Sequence, residues 1–463
     1  MSYADKPFRI IVVGAGVGGL VASSALQKAG IDHVVLEKHD QVAPPYGAGI
    51  SIWPHGMRIL HQLGYTDELK KASVPTTRFL LRGKNGRVMH DNSLYTHVGE
   101  NHGIGFYPFE RRDFMSILYE GLPDKSCIKT GVAVSDVQQF ADRVEVKLSN
   151  GSIEVGDMVL GCDGVYSQVR SSMWDHAAKT SPGLIKAVEK TSLKTNWKTL
   201  AFVTPGVPEL GADVLTITHH DGFAFLIAAQ PNATYFFVIF KREKPFSWPK
   251  RERYTEDDVQ ELADLVLDKP VTEQLIFSEV WKLRTRAVVI ALEEGVMEHW
   301  HHGRIVLAGD AIHKIHPNLG LGGNSAMSGV VSLLNNVVKV MQETKGPKPS
   351  GTALNKAFAA YQQEHKQNMK DIMNFSNLAA KMHTYWSPFY KFLASWLVPA
   401  MDDRHIANLL GGYIANAPKL NFLPCEGFPS GRMAWNGKTQ EDQDGDVVEE
   451  KMAYGAVTLS IAA

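Results

Sequence analysis

At 463 residues, with 44% hydrophobic and 21% charged side chains, the chain is long enough for several layers around a large core. A formal net charge of -1 gives no electrostatic case for a nucleic-acid partner or for general attraction to an anionic membrane. The three cysteines, Cys127, Cys162 and Cys425, are odd in number and far apart. They form neither a disulfide framework nor a zinc spacing, so the expected compartment is reducing, intracellular and cytoplasmic.

The N-terminus has no secretory pattern: Ile10, Ile11, Val12 and Val13 are a strand-length apolar run that leads straight into glycines. Such a continuous run predicts a strand buried on both faces. A helix is expected over 20–29, stopped by Gly30, and a second strand at Val34, Val35 and Leu36 ends at Glu37. Together these make one βαβ unit. Farther on, 77–81, 200–204, 214–218, 223–228 and 235–240 are β-rich. From 200 onward no crossover helices separate them, which predicts a mostly antiparallel sheet. Parallel-type strands return at 158–160 and 305–307, each followed by an Asp-Gly or Gly-Asp pair. The nucleotide-binding part is therefore expected to be discontinuous, with the antiparallel sheet inserted into it.

The pattern from 356 to 410 is helical. No stretch is apolar enough to span a bilayer, which takes roughly 20 residues. The nearest, 385–401, is interrupted by Lys391, Pro388 and Pro399. It reads as an amphipathic segment packed on the protein, with a place on a membrane surface as the alternative. After Arg432 the chain turns acidic and loses periodicity, which predicts a flexible tail.

Three motifs carry chemistry. Gly14-Ala15-Gly16-Val17-Gly18-Gly19 follows the first strand. Gly14 serves the tight turn, Gly16 lets backbone approach a pyrophosphate, and Gly19 permits close helix–strand packing. The helix N-terminus offers free N–H groups to phosphate, and Glu37 is placed to accept hydrogen bonds from a ribose. This motif alone does not separate FAD from NAD. The second runs from Gly309-Asp310-Ala311-Ile312-His313 through Pro317 into Gly322-Gly323-Asn324. Asp310 suits ribityl hydroxyls, and the amides at Gly322, Gly323 and Asn324 suit negative charge on a reduced flavin. The third, Asp163-Gly164-Val165-Tyr166-Ser167-Gln168-Val169-Arg170, reads equally as an Asp-Gly turn capping a helix.

These segments, in this order, resemble the class A, aromatic-hydroxylase-type FAD-dependent monooxygenases. The resemblance runs through most of residues 8–340. It implies an α/β fold: a Rossmann-like FAD-binding domain, discontinuous, with an inserted mostly antiparallel β-sheet substrate domain and a C-terminal helical region. In domain terms that is 1–75, 105–178 and 285–354 for FAD, 76–104 and 179–284 for substrate, 355–432 helical and 433–463 as acidic tail. It implies Glu37, Asp310 and Arg111 as FAD contacts, with Arg112 a near-equal candidate, and Asp163 as touching both FAD and NAD(P)H. GAGISIWPHGMRILHQLG (which contributes Gly49 to the cofactor site), FERRDFMSILYEGLPDKS and APKLNFLP are similar to the fungal indole-diterpene and meroterpenoid epoxidases. The cofactors implied are FAD, NADPH or NADH as co-substrate, and O2, which adds at the flavin C4a to give a hydroperoxide. The substrate implied is an apolar prenylated small molecule, taken up by a monomer or homodimer. One departure stands out: where the family usually has Glu-Asp, this chain has Ser328-Gly329.

No second GxGxxG is present, which argues against enzymes with two nucleotide domains, and no Trp-x-Trp of the flavin-halogenase kind occurs. His299, His301 and His302 read as a solvated turn rather than metal ligands. His313 and His316 are expected to position the flavin loop. Tyr235, Phe236 and Phe237 suit either an apolar cavity wall or core packing. Two further readings stay open: an aromatic hydroxylase of a phenolic polyketide, and a non-catalytic binding module on the same fold.

Overall fold

The computed structural model describes residues 6–44 and 49–435. The predicted first strand is the centre of a six-stranded sheet. Arg9–Val13 pairs in parallel with Asp32–Leu36 on one side and with Met158–Gly161 on the other. Ile305–Leu307 extends the sheet beyond Met158–Gly161, and Ile128–Lys129 extends it beyond Asp32–Leu36. Both faces are covered, so Ile10, Ile11 and Val12 are wholly buried. Strands from three separate stretches of chain build one sheet, which is the expected discontinuity.

The helix after the glycine turn spans Val17–Lys28 and so begins earlier than its periodicity suggested. Gly18 and Gly19 belong to its first turn, because a Cβ on Gly19 would lie 1.9 Å from the Gly14 carbonyl oxygen. Turn and helix start are one object, and glycine is what lets them overlap.

The second large sheet has eight strands, in the order His313–Lys314, Arg286–Val296, Lys194–Pro205, Ala233–Ser247, Phe223–Ala229, Val214–His219, Arg78–Arg82, Val88–Asn92. Its one parallel pair joins Val214–His219 to Arg78–Arg82. Because side chains alternate along a strand, its two faces have different fates. Phe202, Phe225, Phe236 and Val238 pack under the helices Glu256–Asp264 and Phe277–Lys282. Tyr235, Phe237 and Ile239, one residue out of phase, face the nucleotide-binding part. Two small sheets were not foreseen: Val134–Gln139 with Val144–Leu148 and Ile153–Gly156, and Gly49–Ile52 with Tyr107–Glu110.

The helical region differs from the single run expected over 356–410. One 33-residue helix spans Gly351–His383. Short turns follow over Pro388–Phe392, Leu393–Leu397 and Val398–Ala400, and a new helix, Asp403–Asn416, starts at the side-chain cap Asp402. Pro388 and Pro399 each open a new turn where a continuing helix would need an N–H. Ser328-Gly329 lies where the long helix crosses its neighbour Gly322–Glu343: a Cβ on Gly329 would meet His365 Nε2 at 3.2 Å. The acidic tail expected from 433 lies outside the described residues from 436 on.

His299, His301 and His302 correct the solvated-turn expectation. His301–His302 pairs antiparallel with Ile305–Leu307 through a tight reversal at Gly303, whose φ is +61°. The His299 Nδ1 meets Glu189 Oε2 at 2.7 Å, and His302 Nε2 meets Thr180 Oγ1 at 2.9 Å. Glycine permits the left-handed turn that folds the histidines back onto the sheet edge.

Candidate active site

A cavity of about 350 Å³ lies between the two large sheets. Its nucleotide side is made by turns: Gly16 and Gly18 from the first motif, Cys162 and Gly164 from the second parallel stretch, and Gly309, Asp310 and Lys314 from the third. Gly49, Ile50, Arg111, Gly322 and Gly323 complete it. The opposite wall is apolar and comes from the eight-stranded sheet: Leu215, Leu226, Ala228, Tyr235, Phe237, Ile239 and Leu292.

Gly14 sits at φ +98°, and a Cβ there would be 2.5 Å from the Cys162 carbonyl oxygen. It therefore serves the packing of two adjacent strand ends and does not face the cavity. Gly16 does face it, and a Cβ on Gly16 would meet nothing within 4 Å. That open space lies at the N-terminus of Val17–Lys28, which has no side-chain cap. Gly322 likewise opens on empty space at the uncapped start of Gly322–Glu343. Two helix N-termini thus present free N–H groups to one cavity, the geometry that anions and anionic ring edges seek.

Glu37 ends its strand as expected but is engaged at home. Its Oε2 accepts from the Ala15 amide at 2.7 Å and its Oε1 from the His39 amide at 2.9 Å, bracing the glycine turn. Arg111 is half-buried, lines the cavity and makes no hydrogen bond or ion pair among the described residues. Burial pulls its pKa down, and the charges of Asp310 and Glu37 oppose that pull. Arg112, the near-equal candidate, is exposed to solvent and does not line the cavity.

Asp310 lines the cavity and is paired with Lys314 four residues on, in the short strand His313–Lys314. Burial lowers the Lys314 ammonium, but the Asp310 carboxylate outweighs it and the pKa ends above the ordinary value. Lys314 was missed in the sequence although it stands inside the quoted motif. Its place four residues after Asp310 inside that motif was the available signal. Asn324 is wholly buried and turned away from the cavity. It accepts from the Trp53 amide at 3.0 Å and donates to the Ser51 and Gly320 carbonyls at 2.9 and 2.8 Å. It clamps the strand Gly49–Ile52, and so Gly49, to the glycine loop.

Asp163 follows the capping reading. It accepts from the Ser167 hydroxyl at 2.6 Å and from the Val169 amide at 3.0 Å. Burial raises its pKa, with those two donors opposing. Its neighbours Cys162 and Gly164 face the cavity; Asp163 holds them there. Arg170 donates to the Val165 and Ala311 carbonyls, both at 2.7 Å, tying this motif to the Gly-Asp motif. Burial lowers the His313 pKa to about 4 and the His316 pKa to about 3, so both rings are neutral supports of the loop.

The donor set suits a phosphate-bearing nucleotide cofactor. Gly16 leaves room for backbone to approach a phosphate, Arg111 is an unspent cation between two acids, and two helix starts converge. This is the architecture of a flavin-dependent oxygenase, with a polar nucleotide wall facing an apolar one. The comparisons agree. Residues 8–376 match the FAD binding domain family. The chain is 35% identical over 457 residues to "FAD-dependent monooxygenase DEP2" of Alternaria brassicicola, covering 98% of this chain and 86% of that one. It is 31% identical to "FAD-dependent monooxygenase atmM" of Aspergillus flavus, covering 93% and 90%. Among solved structures, Klebsiella pneumoniae HpxO complexed with FAD and uric acid superposes with a TM-score of 0.71 at 20% identity, covering 89% of this chain and 97% of that one.

The chain belongs to the FAD binding domain family and is an FAD-dependent monooxygenase of the fungal class A group resembled in the sequence. The cofactors are FAD, NAD(P)H and O2. The non-catalytic alternative falls away.

Proposed function

We propose that the chain epoxidises an olefin of an apolar, prenylated substrate of the meroterpenoid or indole-diterpene type. The observation that carries this reading is the apolar wall. Seven residues from the strands Val214–His219, Phe223–Ala229, Ala233–Ser247 and Arg286–Val296 line the cavity, and Tyr235 is the one ionisable side chain among them. Burial raises the Tyr235 pKa further, so its phenol stays neutral. A phenol ring is activated by losing its proton to a base, whereas an electron-rich olefin needs only placement and exclusion of water. Among the described residues the charged groups that line the cavity are Arg111, Asp310 and Lys314, all on the nucleotide side.

In this reading Gly14, Gly16 and Gly19 form the pyrophosphate turn, and Glu37 meets the ribose with lone pairs left after bracing that turn. Arg111 and Asp310 meet the ribityl chain and phosphates. The amides of Gly322 and Gly323, with that of Asn324, stabilise negative charge on the ring. Gly49 and Asp163 shape the site's edges. FAD supplies activated oxygen, and the sheet face holds the olefin against it.

The test is turnover under ¹⁸O2 with a farnesylated aromatic acceptor and NADPH. One labelled oxygen in an epoxide or its diol is expected. Turnover of simple phenols with no epoxide supports ring hydroxylation instead, and peroxide release with no oxygenated product rejects both.

A second aspect concerns 385–401. Among the described residues no helix is long and apolar enough to cross a membrane. Phe389, Phe392, Trp396 and Leu397 nevertheless stand exposed there, Trp396 at 72%, and no carboxylate occurs from 372 to 401. This supports peripheral contact with a bilayer into which an apolar substrate partitions. Co-sedimentation with lipid vesicles that survives Trp396→Ala argues against it.

A further inference from the structure

The segment 241–253 carries six basic side chains and two carboxylates, a strong local excess in a chain of net charge -1. Its internal carboxylate Glu252 is already spent. It receives the Arg242 guanidinium at 2.9 Å, the Tyr254 hydroxyl at 2.9 Å and the Lys250 ammonium at 3.3 Å. Arg251 and Arg253, on either side of it, are exposed and have no ion pair among the described residues. Lone surface arginines are usually just solvated, but this segment is pinned in place.

Trp248 packs edge-on against Trp174 of the helix Gln168–Thr180, with ring centroids 5.5 Å apart. The Arg251 guanidinium lies 4.2 Å from the centre of the Tyr166 ring. Both contacts land on the Asp-Gly motif and its helix, the segment that also turns Cys162 and Gly164 into the cavity. The Tyr166 hydroxyl donates to Glu293 Oε1 at 2.8 Å, and Glu293 in turn acts on Lys314, which lines the cavity. Arg251 is therefore two side chains from the flavin site. The chain has no second glycine fingerprint, so the reductant must dock on groups outside a nucleotide fold of its own.

We propose that Arg251 and Arg253 form the docking site for the 2′-phosphate of NADPH and make this monooxygenase prefer NADPH to NADH. The two guanidinium forks match a phosphate dianion, the one group by which the two reductants differ. The cation–π contact holds Arg251 in place, and Glu252 is engaged by Arg242 and Lys250, which leaves Arg251 and Arg253 without a carboxylate partner among the described residues. The inference rests on the chain being an NAD(P)H-consuming flavoenzyme.

The experiment uses the FAD-loaded holoenzyme without substrate. Flavin bleaching near 450 nm is followed by stopped flow with NADPH and with NADH, and binding of 2′,5′-ADP and of 5′-ADP is measured by calorimetry. Tighter binding of NADPH and of 2′,5′-ADP is expected, weakening steeply with salt. In Arg251→Gln/Arg253→Gln the NADPH-to-NADH preference falls about tenfold or more, as loss of a charge-assisted contact predicts. Arg251→Lys keeps much of the preference. A merely structural role for Arg251 would weaken both reductants alike and leave the ratio unmoved, and that result overturns the proposal. So does a wild type that treats the two reductants equally. A flavin that neither reductant bleaches overturns the proposal together with the reading that this flavoenzyme consumes NAD(P)H.

Discussion

The two walls of the cavity obey different rules. The nucleotide wall relies on backbone: Gly16, Gly322 and Gly323 offer space and N–H groups, and the charged side chains that line the cavity, Arg111, Asp310 and Lys314, stand beside them. The antiparallel wall is built of side chains: Leu226, Tyr235, Phe237 and Ile239 offer surface and no charge. The turn behind that wall tolerates almost no added atom, because a Cβ on Gly14 or Gly19 collides with a fixed carbonyl. Side-chain recognition tolerates change of volume, because neighbouring rotamers adjust. The first wall binds a cofactor common to a family, and the second is free to differ with the substrate.

The sharpest way to break this contrast is Gly19→Val. With a Cβ 1.9 Å from the Gly14 oxygen, the turn and helix cannot coexist, and a loss of more than about 3 kcal/mol in stability together with FAD is expected. Thermal unfolding and the protein's yellow colour report both, and a stable yellow variant would refute the overlap of turn and helix start.

Next in size is the comparison of neighbours on one strand. Phe236 is wholly buried under the outer helices, while Phe237 faces the cavity. Phe236→Ala is expected to cost about 3–5 kcal/mol by denaturant titration, with little change in coupling. Phe237→Ala is expected to keep FAD and most stability but to raise the fraction of NADPH lost as peroxide. Equal effects of the two changes would mean that the sheet's faces are not divided as described.

The smallest effect falls on the nucleotide wall. Arg111→Met removes an unspent cation beside Asp310 and Glu37. FAD affinity is expected to fall about tenfold to a hundredfold by fluorescence titration, the worth of one hydrogen bond to a charged group. The same change at exposed Arg112 is expected to move it by less than about twofold, and a reversed order would reassign the contact.

Much of this was legible in residue order. The apolar run before Gly14, the acid at Glu37, and the Asp-Gly and Gly-Asp pairs after buried strands each state a local geometry. Local geometry follows from glycine's freedom, from helix ends and from strand burial, all of which act within a few residues. The alternation of Tyr235, Phe236 and Phe237 was visible too, but not which phase faced the cavity.

Distance in sequence hid the rest. Arg111 and Arg112 are alike in type and adjacent, and only the packing of their helix turned one inward. Asn324 looked like part of a ligand loop, yet its hydrogen bonds to Trp53 and Ser51 span some 270 residues and make it a clamp. Lys314 became a site residue because its carboxylate partner draws it in against the cost of burial. Arg251 gained meaning only when the inserted sheet laid it on Tyr166. By itself the sequence determined the nucleotide turn, because glycine chemistry is local. Only the tertiary structure decided which cations and rings share a cavity, because that depends on how two sheets distant in sequence come to face each other.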